Sequence, residues 1–192
     1  MIYTNILSTL GPLSFWGTVV VLTLLSLVAA AITLRLPRRW LVIVSAAALA
    51  VAVLMVAVPH PGANSIVVAV IGVAALAIST AGGGPAVMFV LALASRGSVT
   101  EGSHGGILVD ESSRHEVLRG GTTIGLFERF ATTAAIMAGF PEAVAVVVAI
   151  KGVGRFTELD VAEARERFII GTLVSLVWAA ACAALFRLAL GA

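Results

Sequence analysis

Charge is scarce in this chain. Charged residues fill 11% of its 192 positions, against about a quarter in a soluble domain, so it cannot cover a water-facing surface. Cysteine occurs once, at Cys182. That excludes an intramolecular disulfide, and a lone thiol in an apolar run with no histidine nearby reads as a small apolar residue. The three histidines, His60, His104 and His115, are scattered. No Cys/His/Asp spacing suggests a metal, and no cofactor is expected. His104 and His115, with Asp110 and Glu111, lie in a glycine-rich stretch that fixes no geometry.

Catalytic signatures are equally scarce. No serine–histidine–acid set can be placed on one side of a membrane. Gly82, Gly83 and Gly84 before Pro85 are not a phosphate-binding loop, because no Lys-Ser/Thr follows. The net charge of +2 comes with basic residues at the ends of apolar runs, not interleaved with aromatics. They read as topology determinants, and nucleic acid is not an expected partner. The first twelve residues carry no basic side chain, and the first apolar run is too long for a signal-peptide core.

What is present is hydrocarbon. The chain is 60% hydrophobic, with a mean hydropathy of +1.10, and several runs of about 20 residues can each span a bilayer. The expected fold class is all-α: one integral membrane domain, 1–192, forming a polytopic bundle of about six spans. Residues 13–95 hold the N-terminal helices, 96–121 a polar cytoplasmic loop with a mobile tip, and 122–190 a charged three-helix unit.

The first span is 13–34, with Phe15 and Trp16 as an interfacial anchor. The second is 40–58, after a basic turn at Arg35, Pro37, Arg38 and Arg39. By the positive-inside rule that turn is cytoplasmic and both termini are outside. Residues 65–95 would make a straight helix of roughly 46 Å, too long for a ~30 Å core. The glycines and Pro85 are therefore expected to break it, giving an interfacial helix from Pro85 or a broken span. Spans at 122–139, 142–156 and 168–190 complete the bundle, with a charged segment at 157–167 before the last.

The segment from Ile124 to Arg155 stands out. Glu128 and Arg129 sit side by side in an apolar run, a turn at Gly139, Phe140 and Pro141 reverses the chain, and the return carries Lys151 and Arg155. Ionisable groups in hydrocarbon mark a functional site or a pairing interface. Antiparallel pairing around the turn puts Glu128 level with Val153 and Lys151 level with Phe130, roughly 16 Å below the turn. Glu128 can neutralise one of the three cations, and Glu158 can fold back to take another. The rest must snorkel, find water or bind an anion. Gly120, Gly121, Thr122 and Thr123 open the fourth span with free N–H groups and hydroxyls that favour an anion. Gly121 and Gly125, facing Gly152 and Gly154, suggest close backbone approach.

These residues also carry a resemblance. Ile124-Gly125 with Glu128-Arg129, Lys151 with Arg155-Phe156 and Glu158, Glu166, and Ile170-Gly171-Thr172 with Ser175 resemble the C-terminal half of an uncharacterised bacterial family of multi-pass membrane proteins, a domain of unknown function. The resemblance covers roughly 70 of the 192 residues. It implies a bacterial inner (plasma) membrane protein and no particular activity.

Three functions fit this pattern. Arg129, Lys151 and Arg155 can hold an anionic small molecule or lipid headgroup for binding or transport, with Glu128 orienting Arg129 or carrying a proton. The same charges can instead only lock helix packing in a non-catalytic scaffold or accessory subunit, whose polar loop engages a soluble partner. An intramembrane enzyme is the third, but the sequence offers it no nucleophile, acid–base pair or metal. Membrane lipids are the expected surroundings, and Ala179, Ala180, Ala183 and Ala184 would permit a helix-to-helix homodimer.

Overall fold

The computed structural model describes residues 2–94, 100–101, 107–108, 116–117, 121–154 and 162–191. Six helices dominate it: α1 (Ile2–Thr33), α2 (Arg39–Ala57), α3 (Ser65–Ala94), α4 (Gly121–Met137), α5 (Ala143–Gly154) and α6 (Ala162–Leu190). Between α3 and α4, β1 (Thr100–Glu101), β2 (Ile107–Leu108) and β3 (Glu116–Val117) pair antiparallel in that order. They fall in the expected polar loop, most of which lies outside the described residues.

Local chemistry sets the helix ends. Pro37 precedes α2 and Pro59 follows it, bounding a run of Val, Ala and Leu that has neither glycine nor proline. Its buried residues, Leu41, Val42, Ser45, Ala48, Leu49, Ala52 and Val56, recur every three or four positions and make one inward stripe. Asn64 caps α3 by accepting the Val67 N–H at 2.8 Å. Gly139, at φ +85°, ends α4 in the left-handed conformation that glycine adopts without penalty, and Pro141 starts the return.

Four helices are long and apolar enough to cross a bilayer, at Leu10–Thr33, Arg39–Ala57, Ser65–Ala94 and Ala164–Leu190. At 17 and 12 residues, α4 and α5 are shorter. The expected break in the third apolar run is not there: α3 continues through Gly82, Gly83, Gly84 and Pro85. The length argument holds, but the chain resolves it by projection. α2, 19 residues long and roughly 28 Å, is the length of a hydrocarbon core, whereas α3 runs some 15 Å further at one end. α6 projects likewise, starting at Ala162 instead of 168 and taking in Arg165 and Arg167.

Side-chain contacts fix the relative heights of the helices. Ser26 and Ser45 exchange hydrogen bonds between α1 and α2, each hydroxyl reaching the other's backbone carbonyl at 2.9 and 3.0 Å. Ala30 lies against Gly82, Gly83 against Arg129, and Ser79 bonds Thr133 at 2.6 Å. Trp178 donates its indole N–H to the Ile78 carbonyl at 3.1 Å, and Gly72 faces Phe186 and Met137. Neighbours in sequence therefore run antiparallel. One end of the bundle gathers the close of α1, α3 and α5 with the start of α2, α4 and α6; this is the basic end. At the opposite end Trp16 donates to the Pro61 carbonyl at 2.9 Å, and His60 stacks on Phe15 with one ring nitrogen 3.3 Å from the Leu188 carbonyl. Trp16, expected as an interfacial anchor, is instead buried in this seal.

The apolar core, including Val19, Leu49, Ile71, Ile78, Trp178 and Leu185, runs from that sealed end to Val42 and Ala86 near the basic end. Cys182 is fully buried in it. Ala179 and Ala183 are also buried inside the chain, whereas Ala180 and Ala184 are half-buried.

A basic cavity at one end of the bundle

The hairpin charges meet as a pair and a leftover. Lys151 on α5 donates to Glu128 Oε2 on α4 at 2.5 Å, with both side chains largely buried. The antiparallel register is two residues tighter than expected from the turn, a shift within the reach of both side chains. Lys151 Nζ also lies 5.7 Å from the centre of the Phe168 ring, joining α5 to α6 by a cation–π contact.

Arg129, one of the three cations that the sequence offered to Glu128, has no salt bridge among the described residues. It is 7% exposed. It makes one hydrogen bond, from Nη2 to the Thr80 carbonyl at 3.3 Å, and its Nε has no partner. Glycines make the room for it. A β-carbon on Gly83 would overlap Arg129 Cδ and lie 2.7 Å from Nε, and one on Gly125 would lie 3.0 Å from Nη1. The glycines that looked like a helix break therefore form a slot for a guanidinium. Gly82 does the same for Trp178, whose ring would lie 2.5 Å from an added β-carbon. By contrast, Gly152 and Gly154 meet nothing within 4 Å, so the close approach expected there is absent.

Two hollows adjoin this guanidinium. A gap of about 10 Å³, the room of one water, is bounded by Glu128, Arg129, Thr132, Lys151, Thr172 and Ser175 among others. Thr132 Oγ1 and Thr172 Oγ1 are buried there without a hydrogen-bond partner. The larger cavity, about 830 Å³, opens toward the basic end. Its described walls carry Arg38, Arg39, Arg129, Lys151 and Arg167 against one carboxylate, Glu128, and are otherwise largely apolar. Arg38 and Arg39 are exposed at its rim, while Arg167 is 5% exposed.

The expected site residues divide accordingly. Glu128, Arg129, Lys151, Gly121 and Thr122 line the cavity, whereas Thr123 is exposed on α4 and is not among its described walls. Arg155, Glu158 and Gly120 lie outside the described residues, as do His104, His115, Asp110 and Glu111. Sequence reasoning missed Arg38, Arg39 and Arg167 as wall residues, having assigned them to topology. It also missed Gly83, although a glycine triplet inside an apolar run was the available signal for a bulky neighbour.

These features define a helical membrane protein with a basic cavity at one end. No protein-family model, curated protein or solved structure matches the chain, so that class rests on the helices and the cavity themselves.

Proposed function

We propose that this is a six-span protein of a bacterial inner membrane, with its basic end in the cytoplasm, that binds an anionic group, a phosphate or carboxylate, in the basic cavity. Arg129 carries the reading. A buried cation without a salt bridge costs several kcal/mol, yet the chain devotes Gly83 and Gly125 to holding one beside the cavity. An anion there completes the charge balance, with Arg38, Arg39 and Lys151 contributing long-range attraction. Glu128 serves Lys151 and so holds that lysine in place.

Binding is favoured over conduction. Above Arg129 lie the Ser79–Thr133 hydroxyl pair and then, among the described residues, apolar packing around Ile71, Cys182 and Leu185. The shorter α4 and α5 complete the six crossings as a hairpin, with α4 packed on α3 and α6 and α5 packed on α4. Native mass spectrometry of the purified protein tests the reading. A retained anionic adduct is expected in the parent and lost in Arg129→Gln; the same adduct pattern in both would reject the site.

A further inference from the structure

Resting on that anion-binding reading, we infer that the group held is the phosphate of a membrane lipid, drawn from the leaflet on the basic side. The first observation is height. Arg39 opens α2, whose length matches the hydrocarbon core. Counting along the helices from the Ser26–Ser45, Ala30–Gly82 and Gly83–Arg129 contacts puts Arg129 within one helical turn, about 5.4 Å, of the level of Arg39. Arg129 thus lies where hydrocarbon gives way to headgroups, the layer in which lipid phosphates reside.

The second observation is the lining. A free oxoanion needs a small polar pocket. This cavity is about 830 Å³, within the ~300–1,000 Å³ range of sites that enclose much larger ligands, and Val42, Pro85, Met88, Phe89, Leu91 and Phe168 form much of its wall. An amphiphile satisfies both parts, its phosphate on Arg129 and its apolar portion on that wall. The third is access. α2 and α4 both line the cavity, but α2 packs mainly on α1 and α4 on α6 and α3, with little contact between α2 and α4 themselves, so the gap between their basic ends is the route by which a lipid enters.

The test uses the full chain in a neutral maltoside detergent, following the thermal midpoint during titration with dihexanoyl phosphatidic acid, with glycerol phosphate as the tail-less phosphate and with dihexanoylglycerol as the phosphate-less tail. Phosphatidic acid is expected to stabilise at concentrations at least about tenfold below glycerol phosphate, since each methylene buried adds several-fold, and dihexanoylglycerol is expected to do nothing. Arg129→Gln should remove the response. Ala92→Phe, which narrows the apolar wall, should reduce it to that of glycerol phosphate. The double variant Arg38→Gln/Arg39→Gln, at exposed positions, should weaken it and carries the test if Arg129→Gln does not fold.

Equal responses to both phosphates, each dependent on the arginines, would overturn the lipid assignment and leave the anion site standing. No response to either phosphate would overturn both. A response to phosphatidic acid unchanged in the arginine variants, or matched by dihexanoylglycerol, would mean general adhesion to apolar surface and would also overturn both.

Discussion

Gly83 and Arg129 claim the same space: a β-carbon on the glycine would overlap the Cδ of the arginine. The contact joins α3 to α4 and aims a guanidinium along the cavity floor. Replacing Gly83 by alanine should therefore expel Arg129 and abolish the response to phosphate, with only a modest change in thermal midpoint, because the arginine stem can swing toward the cavity. Gly82→Ala should behave differently. It meets the ring of Trp178, which is buried and hydrogen-bonded to the Ile78 carbonyl, and overpacking of that kind costs about 1–3 kcal/mol. Gly152→Ala has open space around it, so only helix propensity acts, a gain of up to about 1 kcal/mol. Thermal unfolding of the three variants in detergent, with and without phosphate ligand, checks the order. Loss of phosphate response in Gly152→Ala would contradict it.

Breaking the Glu128–Lys151 pair should cost more than removing the unpaired arginine. Glu128→Ala strands Lys151, which is 18% exposed. A cost of about 3 kcal/mol, the low end for a broken buried pair, is expected because Lys151 can snorkel toward the nearby interface. Arg129→Ala removes a cation that has no salt bridge among the described residues and leaves mainly a packing defect. Equal losses on thermal unfolding would mean that Glu128 supports Arg129 as much as it supports Lys151.

How much of this was legible in the sequence depends on the range of the interaction. Hydrophobic length and the basic turn at Arg38 and Arg39 gave the apolar helices, since both are local, but not the unbroken course of α3 or the early starts of α1 and α6. The Glu128–Lys151 pair was within reach because a tight turn at Gly139 fixes a hairpin register. The role of Gly83 was not, because a glycine that makes room for a residue 46 positions away looks, in one dimension, like a glycine that breaks a helix. Arg167 was missed for a related reason. It was assigned to a charged segment before the last span, and only the early start of α6 brings it into the cavity wall.

Lys151 is the only lysine in the chain, which gives the pairing an unambiguous chemical test. A carbodiimide activates a carboxylate and joins it to an amine in direct contact. The 2.5 Å approach of Lys151 Nζ to Glu128 should therefore yield an amide between α4 and α5. Peptide mass spectrometry should find Glu128 joined to Lys151 in the parent protein, and no such peptide in Glu128→Gln. A dominant link from Lys151 to another carboxylate would show that α5 is set at a different height, and the depth assigned to Arg129 would fall with it.

The orientation of the bundle follows from where its cations collect. Arg35, Arg38, Arg39, Arg165 and Arg167 all lie at the basic end, whereas Arg187 is the lone arginine among the described residues near the other. By the positive-inside rule, the basic end is predicted to face the cytoplasm. In a Cys182→Ala background, which removes the buried native thiol, single cysteines at Arg38 and at Gly62 report on the two ends. Gly62 is exposed, and an added β-carbon there meets nothing within 4 Å. A membrane-impermeant thiol reagent applied to intact cells should label Gly62→Cys and spare Arg38→Cys, and both should label after the membrane is opened. The reverse pattern would turn the cavity to the outer leaflet, and its lipid would then have to come from that side.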